Sequence, residues 1–125
     1  MADITQISPS KLADLLADQR PQAYGEGITA IEMRRAEPIV LIDVREPWEH
    51  ELCHIEGSKL IPLSTLRNAI EELDPTAPTV LICHHGMRSM QAAFVLRSLG
   101  FESLINLQGG IDSWANAVDT SMARY

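Results

Sequence analysis

A chain of 125 residues with a net charge of −7 is long enough to bury one hydrophobic core without staples, and it lacks the clustered Lys/Arg face that a nucleic-acid surface needs. Its two cysteines, Cys53 and Cys83, are too few for a disulfide framework, and no apolar run approaches a membrane span. The start, Met1-Ala2-Asp3-Ile4-Thr5, has neither a basic stretch nor an apolar signal core, so the expectation is one cytoplasmic domain over 1–125, with no nucleic-acid or membrane partner.

Ile4 to Ile7 reads as a short edge strand, and Ser8-Pro9-Ser10 offers a capping serine and a proline suited to a first helical turn. The helix that follows, to about Asp18, places Leu12, Leu15 and Leu16 on one face. From 19 to 37 the pattern is broken by Arg20-Pro21, Gly25 and Gly27, and the segment reads as a surface excursion, with partner docking as the lesser alternative. Ile39-Val40-Leu41-Ile42 is a continuous aliphatic run, the signature of a strand buried on both faces, with Asp43 and Arg45 at its carboxyl end. Glu46-Pro47-Trp48-Glu49 opens a short helix to about Leu52.

Lys59-Leu60-Ile61-Pro62 is a short strand stopped by proline, and Leu63 to Leu73 is predicted helical, with Leu66, Ile70 and Leu73 on one stripe. Val80-Leu81-Ile82 is a second buried strand. It runs through Cys83-His84-His85-Gly86 into a helix packed through Ala92, Ala93, Val95, Leu96 and Leu99, and Gly100 stands as its terminating glycine. Ser103 to Leu107 is the last strand and Ile111 to about Val118 the last helix, with Trp114 in the core. Strand–helix alternation of this kind predicts an α/β fold, a parallel sheet covered on both faces, with a ligand at the carboxyl ends of the strands.

Cys83 is placed where that rule puts a ligand. An ordinary thiol, with a pKa near 8.5, is only about 3% thiolate at pH 7, so a nucleophilic cysteine needs surroundings that favour the anion. A loop closing onto a helix start supplies inward N–H groups and partial positive charge, Gly86 permits the turn, and His84, His85 and Arg88 add cationic or potentially cationic groups. No Asp or Glu occurs between Asp74 and Glu102, so the loop sits in an acid-free window. The bland alternative is a buried core cysteine beside incidental histidines, but a core cysteine does not require Gly-Met-Arg-Ser at a helix entrance.

The run Cys83-His84-His85-Gly86-Met87-Arg88-Ser89 resembles the active loop of the single-domain rhodaneses, sulfurtransferases that carry sulfane sulfur as a cysteine persulfide. Asp43-Val44-Arg45-Glu46-Pro47, His54-Ile55-Glu56-Gly57-Ser58 through Ile61-Pro62, and Leu107-Gln108-Gly109-Gly110-Ile111 with Trp114 resemble three further segments of that family, in order, over about Ile39 to Ala117. The resemblance implies a three-layer α/β fold with a central, mostly parallel sheet of about five strands and helices on both faces. It implies Cys83 as the catalytic nucleophile, and His84, His85, Gly86, Met87, Arg88 and Ser89 around the substrate. Asp43 and Arg45 would be a buried pair holding neighbouring loops, with no metal and no cofactor. The partners would be a small sulfur donor such as thiosulfate and a thiol or cyanide acceptor, with a protein acceptor also open. The two histidines replace more strongly cationic residues of dedicated thiosulfate enzymes, which leaves the physiological donor open.

Three alternatives compete with this reading. Cys53-His54 with Cys83-His84-His85 could make a tetrahedral zinc site, but adjacent Cys-His pairs lack the two-residue spacing that lets one loop chelate. A cysteine phosphatase or arsenate reductase would place five residues between cysteine and arginine, whereas Cys83 and Arg88 are separated by four, a smaller ring suited to one sulfur atom. The third alternative is a persulfide carrier or docking module serving a partner enzyme.

Overall fold

The computed structural model describes residues 3–19 and 38–125, and the predicted excursion lies outside them beyond Gln19. Five strands form one sheet: β1 (Ile4–Ile7), β2 (Val40–Asp43), β3 (Lys59–Leu60), β4 (Thr79–Ile82) and β5 (Leu104–Leu107). Their spatial order is β1-β5-β4-β2-β3, and every neighbouring pair is parallel. Parallel neighbours cannot be joined by tight hairpins. Helices α1 (Pro9–Gln19), α2 (Pro47–Leu52), α3 (Met87–Ser98) and α4 (Gly110–Ala117) and a 3₁₀ helix (Leu63–Glu72) lie between the strands in sequence.

Central strand β4 is buried at all four positions, and its side chains alternate between two cores. Leu81 packs with Ile42, Leu96 and Leu104, beside Ala92 and Ala93 of α3. Val80 and Ile82 pack with Leu12 of α1, Leu107, and Ile111 and Trp114 of α4. The sheet is thus the middle of three layers. Each fully buried Leu or Ile contributes about 2 kcal/mol of hydrophobic stabilisation.

The stretch predicted as an α-helix from Leu63 is a 3₁₀ helix instead. Its apolar residues Leu63, Leu66 and Ala69 recur every third position, the 3₁₀ period, and Leu66 is buried with the other two packed beside the same core. Helix α3 stops where predicted. Gly100, at φ +95, donates its N–H to Arg97 O at 3.1 Å, and Phe101 N–H reaches Leu96 O at 3.1 Å, the paired bonds of a Schellman end.

Because all the strands run the same way, the carboxyl ends of β2, β4 and β5 meet along one edge of the sheet. That edge gathers Asp43 to Arg45, Cys83 to Ser89, and Asn106 to Ile111.

Candidate active site

Cys83 follows directly on β4, and its carbonyl accepts the Ile111 N–H at 2.8 Å while His84 O accepts Asp112 N–H at 3.1 Å. The loop is therefore clamped by the first turn of α4. Gly109 and Gly110 both have positive φ, and a Cβ on Gly110 would stand 2.4 Å from the carbonyl oxygens of Cys83 and His84. Only a residue without a Cβ lets the two backbones approach this closely.

Gly86 caps α3 at φ +104, a left-handed conformation that aims its N–H back along the loop. That N–H donates to Cys83 Sγ at 2.9 Å. The amides of Met87, Arg88 and Ser89, as the first helical residues, have no intrahelical acceptor and face the same end of the helix. Cys83 is 1% exposed, so its sulfur is covered by the loop and the surrounding core.

Ser89, fully buried, places its Oγ 3.3 Å from Cys83 Sγ and donates its hydroxyl hydrogen to Asn106 Oδ1. Asn106 Nδ2 in turn donates to Gln6 Oε1 at 2.9 Å, and Gln6 Nε2 lies 3.2 Å from Met90 Sδ. Neither Asn106 nor Gln6 was singled out from the sequence. The signal for Asn106 was a polar residue in an otherwise apolar strand, since a buried amide needs partners on every side.

Charge around the loop differs from the sequence reading in one important respect. Arg88 does not stand free at the mouth: its Nη1 and Nη2 bind Glu49 Oε1 and Oε2 at 2.7 and 2.8 Å, a bidentate pair. The acid-free window in sequence is closed in space by an acid 39 residues away, on α2. Proline at the first position of α2 and the bond from Glu46 N–H to Glu49 Oε1, at 2.9 Å, set that helix start and the glutamate with it. The Arg88 guanidinium holds Glu49 down at about 2, with further help from the Glu46 amide and Tyr125.

Tyr125 joins this network from outside the predicted elements. Its hydroxyl donates to Glu49 Oε2 and accepts from Arg45 Nη1 at 2.9 Å, and its ring stacks on His84 with centroids 4.0 Å apart. Burial pushes the phenol up to about 12, and the bond to Glu49 adds to that. Trp48 and Tyr125 form a T-shaped ring pair with centroids 5.4 Å apart. Asp43 and Arg45 form a fully buried ion pair at 2.6 Å, and Arg45 also binds the Cys53 carbonyl at 2.6 Å. Two loops are thus tied together through one guanidinium.

Of the two loop histidines, His84 is held below its usual range by burial first and by neighbouring His85 second, which favours the neutral ring. His85 is exposed, with Nε2 3.9 Å from Asp112 Oδ2, and Asp112 Oδ1 is taken by Arg124 at 2.8 Å. Donor atoms of His84, His85 and Asp112 fall within 4.8 Å of one another. Neither cysteine belongs to that cluster, so the zinc grouping considered above is not assembled among the described residues. Met87 projects into solvent at the loop rim. Cys53 is buried in the core under α1 and α4, with its Sγ 3.8 Å from Arg45 Nη1.

The Rhodanese-like domain family model matches residues 29–117. The chain is 36% identical over 126 residues to a Mycobacterium tuberculosis protein named probable adenylyltransferase/sulfurtransferase MoeZ, covering 95% of this chain and 32% of that protein. It therefore spans about a third of that relative's length. It is 36% identical over 90 residues to thiosulfate sulfurtransferase GlpE of Pseudomonas fluorescens, covering 72% of this chain and 83% of the relative. The crystal structure of a rhodanese-related protein from Thermoplasma volcanium superposes with a TM-score of 0.70 at 27% identity, over 91% of this chain and 93% of the other. With the five-stranded parallel sheet and a cysteine loop at its carboxyl edge, these matches show that the chain belongs to the rhodanese-like domain family.

Proposed function

We propose that the protein is a sulfurtransferase that carries sulfane sulfur on Cys83. The observation that supports this most directly is the Gly86 N–H aimed at Cys83 Sγ from 2.9 Å, in a loop closing on a helix start. A fixed amide donor and the helix dipole both favour a sulfur anion over a neutral thiol. Ser89 adds a switchable contact. With its hydrogen given to Asn106, its oxygen can only accept from the Cys83 thiol; once the thiol ionises, rotation of the hydroxyl makes it a second donor to sulfur.

In the first step the Cys83 thiolate attacks the outer sulfur of a donor such as thiosulfate. A sulfur–sulfur bond forms to Cys83, the donor's sulfur–sulfur bond breaks, and its electron pair leaves with sulfite. In the second step a thiol or cyanide nucleophile takes the outer sulfur, as thiocyanate in the case of cyanide, and restores the thiolate. Relatives named sulfurtransferases agree with this chemistry. The working unit extends beyond the matched residues 29–117, because Gln6 and Tyr125 both reach the site.

Incubation with excess thiosulfate should add about 32 Da to the intact protein, one sulfur atom, lost again on cyanide treatment and absent in Cys83→Ser. Sulfur mapped to Cys53, or turnover by Cys83→Ser, would overturn the assignment.

A further inference from the structure

We infer that Glu49 is a specificity-determining residue of this site: by engaging both arms of Arg88 it turns the loop away from doubly charged sulfur donors and toward donors carrying one charge or none. The inference rests on the sulfurtransferase reading and names the substrate class that the same site favours.

Its basis is the set of charged groups around Cys83. Arg88 is the cation that the loop itself contributes, and its bidentate partner is a carboxylate that is nearly inaccessible, whereas the guanidinium is about one-third exposed. Two further bonds fix the acid, from Glu46 N–H and from Tyr125, so Glu49 cannot easily swing aside to release the arginine. The second cation nearby, Arg124, is held by Asp112, and the same aspartate lies beside His85. His84 is packed between the rings of His85 and Tyr125. Among the described residues, Arg88 and Arg124 are thus each paired with a carboxylate, and Asp112 serves His85 as well, in a protein whose overall charge of −7 already repels anions. A dianion entering here meets neutral amides, which stabilise the transferred sulfur but do not offset a second charge on the leaving group.

Thiosulfate and methanethiosulfonate separate the effect of charge from that of chemistry. Both present a terminal sulfur on a hexavalent-type sulfur centre, with two negative charges in the first and one in the second. In the second case the Cys83 thiolate and methanethiosulfonate give the Cys83 persulfide anion and methanesulfinate, with two negative charges on each side. The readout is the change, from parent to variant, in the ratio of kcat/KM for the two donors; that change cancels their intrinsic reactivities and is unmoved by a merely structural defect that slows both.

In Glu49→Gln the ratio should rise about tenfold in favour of thiosulfate, which corresponds to about 1.4 kcal/mol at the transition state. Adding Arg88→Gln to that variant should abolish the gain. A ratio that stays level or falls, while both donors still load Cys83, overturns the role of Glu49 and leaves the sulfurtransferase reading standing. Failure of both donors to load Cys83 in the unaltered protein removes that reading and this inference with it. Should Glu49→Gln not fold, the unaltered protein decides: kcat/KM for thiosulfate that is flat or rising with ionic strength supports masking of Arg88. A steep fall with salt reveals an available cation and overturns it.

Discussion

A Cβ on Gly110 would lie 2.4 Å from the carbonyl oxygen of Cys83, closer than any side-chain carbon can approach backbone. The backbone of α4 therefore acts as the template against which the cysteine loop is set. Gly110→Ala should destabilise the protein by about 3 kcal/mol, since neither backbone can yield cheaply and φ is +64. It should also slow persulfide loading of Cys83 by mass spectrometry. Gly100→Ala is the matched control: its φ is +95 but nothing lies within 4 Å, so a loss of about 1 kcal/mol with unchanged loading is expected.

Acid should weaken the fold through Glu49. Its carboxyl is held at about 2 against an ordinary 4.5, so the folded state binds fewer protons than the unfolded one between those values. The stabilisation is fully present above about pH 5 and is lost as pH falls toward 2, to a total of about 3 kcal/mol. Urea unfolding from pH 7 to pH 3 should show about 2 kcal/mol of this loss, and Glu49→Gln should flatten the dependence. An unaltered slope in that variant would assign the acid sensitivity to other groups.

Tyr125→Phe tests the hydroxyl that joins Glu49 to Arg45. Removing it leaves Glu49 its Arg88 partner and leaves Arg45 Nη1 the Glu49 carbonyl at 3.3 Å, so the expected cost is about 1–2 kcal/mol, without unfolding. A denaturation midpoint indistinguishable from the parent would show that the hydroxyl contributes nothing to the network.

Cys53→Ser should retain sulfur transfer. The shorter of the two bonds that Cys53 accepts from Arg45 is to its backbone carbonyl, at 2.6 Å, which survives the substitution, and a serine hydroxyl is also an acceptor for the Arg45 Nη1 that lies 3.8 Å from Sγ. Its sulfur lies in the core under α1 and α4, whereas Cys83 packs in the other one. Loss of turnover with folding intact would give Cys53 a part in the chemistry.

The strands were legible because burial on both faces leaves a plain mark: Ile39 to Ile42 and Val80 to Ile82 are continuous aliphatic runs that tolerate no polar residue. The cysteine loop was legible for a local reason too, as glycine, arginine and serine follow Cys83 within six residues. Glu49 was missed because a count of charge along the chain cannot see an acid delivered by another element, and its own segment advertised only a helix start. Tyr125 carried no periodic signal, and its importance exists only in three dimensions. The 3₁₀ helix was read as α because residues three apart share a face in either form.

Strand β1 lies outside the residues matched by the family model, at the margin of the sheet, yet Gln6 binds Asn106, which receives the hydrogen of Ser89 beside Cys83. The Cys83 sulfur is therefore three contacts from the edge strand. Fraying of an edge strand is among the least costly motions open to a sheet protein. Here each such excursion would release Asn106 from one of its anchors and let the Ser89 hydroxyl reorient, so the surroundings of the Cys83 sulfur are open to adjustment from the periphery, by whatever braces or loosens Ile4 to Ile7.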